Sequence, residues 1–384
     1  MKKVVFGMLC LAVTMCSANS VYAEGNDFLE GFTIGGGITL NLQNLQNANK
    51  AEDADGNPLE ENKTPTLGEY SVDLTVEKKF DDNNTVFIHL ETGRGDINYY
   101  LNSVAGINRD ADDSGVVSVT EAWFEHKFTD KFAVTAGIID PTQAVDDNAY
   151  ANDETTQFLG SMFRNAANIG FSDNAFGVKA TYETDIADFA VQYIDASDYK
   201  DITRNGFVSA QVNFKPGFID EKEGNYRIFG WTNTNDYEKL DGTGDGKEKD
   251  YGFGLSLDQQ FTDIFGAFAR YSWNRGDIGS DIGGTEETII GSAHSWSLGL
   301  QANVKGIGEE DVVAIAYGQV IPSSEYKDNV NENAKSENHL ELYYSWNVTD
   351  YLSISPDFQM IENPYYNEDD DTAYVGTIRM QISF

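Results

Sequence analysis

The chain has 384 residues, of which 26 are Lys or Arg and 63 are Asp or Glu, so its formal net charge is −37. A surface this acidic repels polyanions and excludes binding to nucleic acid. With 12% aromatic residues, 36 glycines and only 7 prolines, the chain is expected to fold and to be rich in turns, unlike an acidic disordered protein.

Residues 1–23 have the pattern of a secretory signal peptide. Two lysines precede an apolar run that is too short to span a bilayer, and small residues lead to a cleavage site after Ala23. We therefore expect residues 24–384 to form the mature protein, exported through the periplasm as a single domain. Both cysteines, Cys10 and Cys16, lie in the removed segment. The mature chain is then expected to have no disulfide and no thiolate site.

Most of the mature sequence alternates between apolar and polar residues with a period of two, about sixteen times over. The final strand is the clearest example. Tyr374, Ile378 and Phe384 share one face, while Thr377 and Arg379 share the other. A strand between lipid and water requires this arrangement, although the outer sheet of a soluble protein can show it too. In chain order, the best-defined alternating segments are residues 32–42, 70–77, 295–304, 340–348 and 373–384.

The lengths of the connections separate these two cases, because short and long connections alternate strictly. This layout is typical of an outer-membrane barrel with an even number of strands, periplasmic turns and extracellular loops. We therefore predict an all-β fold, a transmembrane antiparallel β-barrel of about 16 strands, which is wide enough for an aqueous channel. The short turns lie near 81–84, 129–131, 183–187, 216–225, 262–264, 306–311 and 349–351, and the long loops near 43–66, 95–116, 140–172, 196–205, 234–250, 275–293, 322–337 and 362–372.

Three stretches resemble the carbohydrate-selective porin family called OprB. Residues 137–165 read GIIDPTQAVDDNAYANDETTQFLGSMFRN, residues 121–128 read EAWFEHKF, and residues 341–364 carry a third similar stretch. The resemblance covers most of the mature chain in order. It implies a sixteen-stranded channel in the bacterial outer membrane through which small sugars diffuse passively, assembled as a homotrimer. The terminal aromatic residue, Phe384, resembles the signal that the outer-membrane assembly machinery reads.

A sugar pore needs flat apolar surfaces for the sugar faces and planar polar groups for the hydroxyls. Acids on a loop folded into the lumen, facing arginines on the wall, would create a transverse field that orients polar solutes. The same residues could instead pair to stiffen the wall or anchor the loop, and the sequence leaves both interpretations open. Strand parity gives the wall candidates Arg94, Glu121, Trp123, Arg227, Trp231, Arg270 and Arg379, and the segment 140–172 gives the constriction-loop candidates Asp140, Asp146, Asp147, Tyr150, Asp153, Glu154, Gln157 and Phe158.

One acidic segment matches the spacing of a twelve-residue calcium loop, and a structural calcium ion is the one cofactor that the sequence suggests. No flanking helices are predicted and the whole chain is acidic, so a solvated loop running into a strand is the favoured interpretation. Other extracellular acids could bridge divalent cations to lipopolysaccharide. The residues that would supply the calcium ligands are Asp110, Asp112, Ser114, Ser118 and Glu121.

Enzymatic functions fit the sequence poorly. The four histidines show no HExxH spacing, and no G-x-S-x-G elbow or phosphate-binding glycine loop occurs. A general or cation-selective diffusion porin without a dedicated sugar site is the main alternative, because carboxylates lining a lumen attract cations. An anion-selective channel would need more basic residues than this chain offers, and a hydrolase, an adhesin or a plugged transporter lacks its expected features.

Overall fold

The computed structural model describes residues 30–49, 64–110, 115–197, 201–217, 222–243, 248–281, 291–308 and 310–384, so the predicted signal peptide lies outside the described residues. Seventeen strands form one sheet in which every pair is antiparallel. They are β1 (Phe32–Gln46), β2 (Thr66–Asp81), β3 (Asn84–Arg94), β4 (Ser118–Thr129), β5 (Phe132–Ile139), β6 (Ala175–Glu183), β7 (Ala187–Asp195), β8 (Gly206–Phe214), β9 (Gly224–Lys239), β10 (Glu248–Gln260), β11 (Phe265–Asn274), β12 (Ile278–Asp281), β13 (Ser292–Val304), β14 (Asp311–Pro322), β15 (Glu337–Thr349), β16 (Leu352–Glu362) and β17 (Ala373–Ser383).

Sixteen of these strands form a closed barrel. The exception is β12, a short strand in the loop between β11 and β13 that pairs with the end of β9. The barrel closes because β1 pairs with β2 on one side and with β17 on the other. Closure leaves every barrel strand with two neighbours, so the sheet has no open edge. The predicted fold class is therefore confirmed.

The closing seam places the last residue of the chain against β1. Gly36 and Phe384 exchange two backbone hydrogen bonds of 3.0 Å. A side chain at position 36 would bring its Cβ within 3.1 Å of the Phe384 ring and within 2.3 Å of a backbone oxygen of Asp73. Glycine at this position therefore allows the terminal aromatic residue to pack over the seam.

The two faces of the barrel wall have the polarity expected of a membrane channel. On β1, Leu40 and Leu42 are exposed on the outside, whereas Thr39, Asn41 and Gln43 are buried on the inside. This is the reverse of a soluble protein, and it places apolar side chains against lipid and polar side chains around the lumen. Other exposed apolar residues on the outer face are Val178, Phe189, Ile228, Phe253, Leu298, Leu300, Ile315 and Ile378.

The part of the chain that the structure describes has few helices, all of them short. Helix α1 (Ser161–Arg164) and helix α2 (Ser324–Asn329) lie in loops, as do the 3₁₀ turns at Ile97–Tyr99, Pro141–Ala144 and Pro364–Tyr366. Among the described helices, none is long and apolar enough to cross a membrane. Seven turns at one end of the barrel alternate with eight connections at the other, as the sequence predicts. Most of the eight are longer than the turns, but the β9–β10 connection, 240–247, is slightly shorter than the β8–β9 turn, 215–223. Two of the long connections are named here L2, residues 95–117, and L3, residues 140–174.

Candidate functional site: a lumen narrowed by two loops

Loop L3 crosses the lumen and contacts most of the barrel wall. Near its start, the Gln192 side chain on β7 donates to the Pro141 carbonyl at 2.6 Å. Its tip reaches β15, and it returns to β9, where Asn233 donates to the Gly170 carbonyl at 3.0 Å. The prediction that this segment folds into the lumen is confirmed. The loop covers the inner side of β7–β17, and the wall formed by β2–β6, which L3 contacts only at its two ends, is the other side of the channel.

Two wall arginines fix the first half of L3 through its carboxylates. The Nε atom of Arg270 lies 3.1 Å from Oδ1 of Asp146, and both side chains are fully buried. Arg270 also donates to the carbonyl oxygens of Phe163, at 2.6 Å, and of Asp146, at 3.0 Å. Burial raises the pKa of Asp146, and the Arg270 guanidinium opposes that shift. Arg227 bridges Asp147, at 2.9 Å, to Asp258 on β10.

The opposite wall holds the tip of L3 through its backbone. The buried Glu341 carboxylate accepts hydrogen bonds from the N–H groups of Leu159, at 2.6 Å, and Gly160, at 3.0 Å. Arg379 donates to the Glu154 carbonyl at 2.8 Å. Backbone groups of an inward loop are out of reach of much of the water, so wall side chains satisfy them instead.

The remaining constriction-loop candidates mainly maintain the shape of the loop. Asp140 accepts from the Thr142 N–H at 2.8 Å, and Asp153 accepts from the Thr155 N–H at 2.8 Å. Glu154 forms an ion pair with Arg164 at 2.6 Å, and the Gln157 side chain accepts from the Asn152 N–H at 2.6 Å. The Tyr150 ring fills the space beside Gly266, which has no side chain. The Phe158 ring packs against the rings of Phe163, Phe268 and Tyr343.

Loop L2 also folds inward, which sequence reasoning missed. Glu337 on β15 accepts from the N–H groups of Val104 and Ala105, at distances from 2.8 to 3.0 Å. Glu69 on β2 accepts from the Ile97 N–H at 2.8 Å, and L2 bonds L3 through the Arg109 N–H and the Leu159 carbonyl at 2.8 Å. Apolar residues within this acidic segment were the available signal, since Ile97, Leu101 and Ile107 are all buried.

An aromatic pair stands on the β2–β6 wall at the edge of L3, where Trp123 packs against the apolar cluster beneath the loop. Phe87 on β3 and Trp123 on β4 are cross-strand neighbours on the lumen face, and their rings stack with centroids 4.9 Å apart. Trp123 donates from Nε1 to Glu121 at 3.0 Å, and Gln143 of L3 donates to the same carboxylate at 2.7 Å. Both rings are only partly buried. An apolar surface and planar polar groups are therefore placed together beside the loop.

The same wall is mostly acidic. Asp73, Glu91 and Glu125 face the lumen beside Glu121, and Lys179 on β6 lies among these charges. Burial raises the pKa of Asp110, in L2, well above its ordinary value, and the acids around it, Glu154 first, add to the shift. The arrangement of charges across the lumen thus differs from the predicted one, in which acids of the loop face open arginines on the wall. L3 covers the wall arginines, and the acids that face the channel lie on the wall formed by β2–β6.

Arg94 lies on the face opposite to the predicted one, and Trp231 lies on the predicted face but out of reach of the channel. Arg94 is exposed and pairs with Tyr70, which is exposed on the outer face, so Arg94 is not a lumen residue. Glycine neighbours at positions 93 and 95 carry no hydropathy signal, which explains the misassignment. Trp231 does face inward but is only 5% exposed, because it packs with Phe229, Ile139 and Val145 beneath L3. It supports the loop and is closed to solutes.

The calcium loop is described only in part, since Asp112 and Ser114 lie outside the described residues. Asp110 accepts from the Ser71 hydroxyl at 2.9 Å, and Glu121 has the two donors given above. Ser118 is exposed and donates to the Glu91 carbonyl at 3.4 Å. The calcium site stays a prediction.

A cavity of about 300 Å³ opens at the turn end of the barrel. It lies between the tip of L3, at Gln157, and the lumen face of β13–β17, where Gln301, Tyr343 and Gln381 line it. Most of its lining is polar side chains and turn residues. Water therefore reaches the underside of the loop.

Comparison with known proteins agrees with this architecture. The family model for the carbohydrate-selective porin, OprB family, matches residues 35–384, whereas no curated protein matches the chain. The high-pH structure of Pseudomonas putida OprB is 14% identical over 92% of this chain and 94% of its own, with a TM-score of 0.74. A triple mutant of Rhodopseudomonas blastica porin is 12% identical over 92% of this chain and 100% of its own, with a TM-score of 0.54. The structural matches show the fold, and the family match over most of the sequence shows that the chain belongs to the OprB family of carbohydrate-selective porins, integral channels of the bacterial outer membrane.

Proposed function

We propose that sugars cross this passive, sugar-selective channel between L3 and the wall formed by β2–β6, with the Phe87–Trp123 pair as their apolar contact. The observation that carries the proposal is this stacked, partly buried pair on the lumen face of β3 and β4, at the edge of L3. Gln143, which is exposed beside the indole, would exchange hydrogen bonds with sugar hydroxyls, and the buried Glu121 carboxylate that accepts from it would orient its amide. Contacts of this kind are weak singly, as passage through a channel requires.

Replacement of the indole tests this route. Trp123→Ala is expected to weaken maltose- or glucose-dependent block of the current in planar bilayers about fivefold, because loss of one aromatic contact costs about 1 kcal/mol. The matched control is Trp296→Ala, since Trp296 pairs with Tyr317 on the outer face of the barrel. Equal effects of both substitutions, or an unchanged block in Trp123→Ala, would contradict the proposal.

The acidic wall also favours a preference for cations, the second function that the charge pattern supports. Carboxylates at a narrow part of a pore raise the local concentration of cations. We expect the wild-type channel to pass K⁺ more readily than Cl⁻, and Glu125→Gln to lower the reversal potential in a KCl gradient. Asp241→Asn, in an exposed outer loop, should leave that potential unchanged. Sugar passage and cation preference use the same wall and do not exclude each other.

The assembly and partners proposed for this chain rest on the family resemblance and on its surface. We propose a homotrimer, inserted by the outer-membrane assembly machinery through the exposed Phe384 at the closing seam, with lipopolysaccharide around the loops. A channel without enzymatic activity fits the histidines, because His126, His294 and His339 bond Asn84, Tyr271 and Glu337 respectively. Cleavage after Ala23 would yield the mature chain, residues 24–384.

A further inference from the structure

Three potential metal ligands meet on the β2–β6 wall, beside the residues that the proposed sugar route uses and distinct from them. Asp73 on β2 lies directly opposite Glu91 on β3, and His89 precedes Glu91 by two residues on the same face. One ligand atom from each of the three residues lies within 4.8 Å of those of the other two. All three side chains are partly buried, and all stand on strands of the barrel wall. Their backbone positions are therefore fixed by the sheet.

We propose that Asp73, His89 and Glu91 form a Zn²⁺ site inside the channel. Zinc sites with three protein ligands combine imidazole nitrogen and carboxylate oxygen at about 2.0–2.2 Å and keep a fourth position for water. Tetrahedral bonds of that length separate ligand atoms by about 3.3 Å. The Nε2 atom of His89 now lies 2.9 Å from Oδ1 of Asp73. On zinc binding, the distance between these two atoms would need to increase by a few tenths of an ångström, and the Glu91 carboxylate would need to move toward them.

The imidazole distinguishes this group from the rest of the acidic lumen. Carboxylates alone favour Ca²⁺ and Mg²⁺, whereas an imidazole shifts the preference toward zinc and its neighbours in the transition series. The second ring nitrogen is also placed for binding, because Nδ1 of His89 lies 3.9 Å from Oε1 of Glu121. If this distance closed to a hydrogen bond on metal binding, the carboxylate would orient the ring and hold the proton on Nδ1, leaving Nε2 for the metal.

A bound cation would change the channel where it is narrow. It adds two positive charges to a wall whose acids otherwise attract cations. His89 lies directly opposite Glu121 on the neighbouring strand, so the ion would also lie near the aromatic pair. Zinc should therefore reduce both the cation current and the access of sugar to Trp123. Zinc binding itself does not depend on the sugar route, but this effect on sugar rests on the proposed function.

Isothermal titration of the folded full barrel in detergent, after treatment with a chelator, tests the site. We expect one Zn²⁺ per chain, with an affinity that His89→Asn lowers at least about tenfold through loss of one ligand. Asn can still donate to Asp73, so this variant retains the cross-strand contact. The matched control is His126→Asn, because His126 bonds Asn84 and has no carboxylate hydrogen-bond partner among the described residues. Ca²⁺ and Mg²⁺ should bind more weakly and should not respond to His89→Asn.

The opposite results would overturn the site: no saturable zinc binding, equal binding by His89→Asn, or equal affinity for all three cations. The last outcome would mean that the acidic lumen merely accumulates divalent cations. In planar bilayers, micromolar Zn²⁺ should reduce the current of the wild type and of His126→Asn, and not that of His89→Asn. Sugar-dependent block of the current, measured without zinc, separates the two proposals. This measurement tests the Trp123 route, and its result does not depend on whether the metal site exists.

Discussion

Asp146→Ala is expected to free L3 from the wall and to widen the channel, giving a higher single-channel conductance and a loss of sugar-dependent block. The substitution removes the only carboxylate that contacts the Arg270 side chain among the described residues. Removing one partner of a buried ion pair costs about 3–5 kcal/mol, because the remaining charge stays out of water. Arg270 would escape that cost only if L3 moved and admitted water. L3 is therefore expected to detach from the wall, while the hydrogen bonds between the barrel strands are retained.

Two variants make this prediction specific. Asp188→Ala removes a carboxylate from an ion pair with Lys215 whose side chains are about one-third exposed, so it should cost at most about 1 kcal/mol and leave the conductance unchanged. The double variant Asp146→Ala/Arg270→Met should recover part of the wild-type conductance, because an apolar side chain carries no unpaired charge. A wild-type conductance in Asp146→Ala alone would show that the ion pair does not hold the loop.

The sequence was sufficient to predict the barrel, because each strand carries its own signal. Leu40 and Leu42 contrast with Thr39 and Asn41 at adjacent positions, and a period of two converts this contrast directly into outside and inside. Turn and loop lengths then give the strand count without any knowledge of pairing. Arg94 is the informative failure, since its glycine neighbours leave the alternation undefined and only the pairing with Tyr70 shows its face.

The site could be predicted only in outline. Parity correctly places Trp231 and Arg270 on the inner face, but it gives no indication that L3 covers them. The contacts that decide this are distant in sequence: Asp146 and Arg270 are 124 positions apart, and Leu159 and Glu341 are 182 apart. Whether an inward side chain meets solute or loop depends on such long-range contacts, and a local pattern contains no information about them.

Leu298→Arg is expected to lower the free energy of unfolding from lipid vesicles by about 2–4 kcal/mol, the cost of a cationic side chain at the middle of the bilayer. Leu298 lies near the middle of β13 and is 50% exposed, opposite Tyr317 and Ala269. If this face meets acyl chains, a guanidinium at this position loses its hydration and has no partner. If it met water instead, the substitution would improve solubility at little cost, since exposed apolar residues contribute little to stability.

The matched control introduces the same side chain on the same strand with the opposite parity. Gln301 faces the lumen and lines the cavity of about 300 Å³, so Gln301→Arg has both water and space and should change the free energy of unfolding by less than about 1 kcal/mol. Urea titration in vesicles, followed by Trp fluorescence, measures both variants under identical conditions. The difference between them isolates the environment of the two faces, because charge, strand and side-chain entropy are shared. Equal costs at positions 298 and 301 would contradict the membrane orientation of the wall, and with it the assignment of the interior as the conducting path.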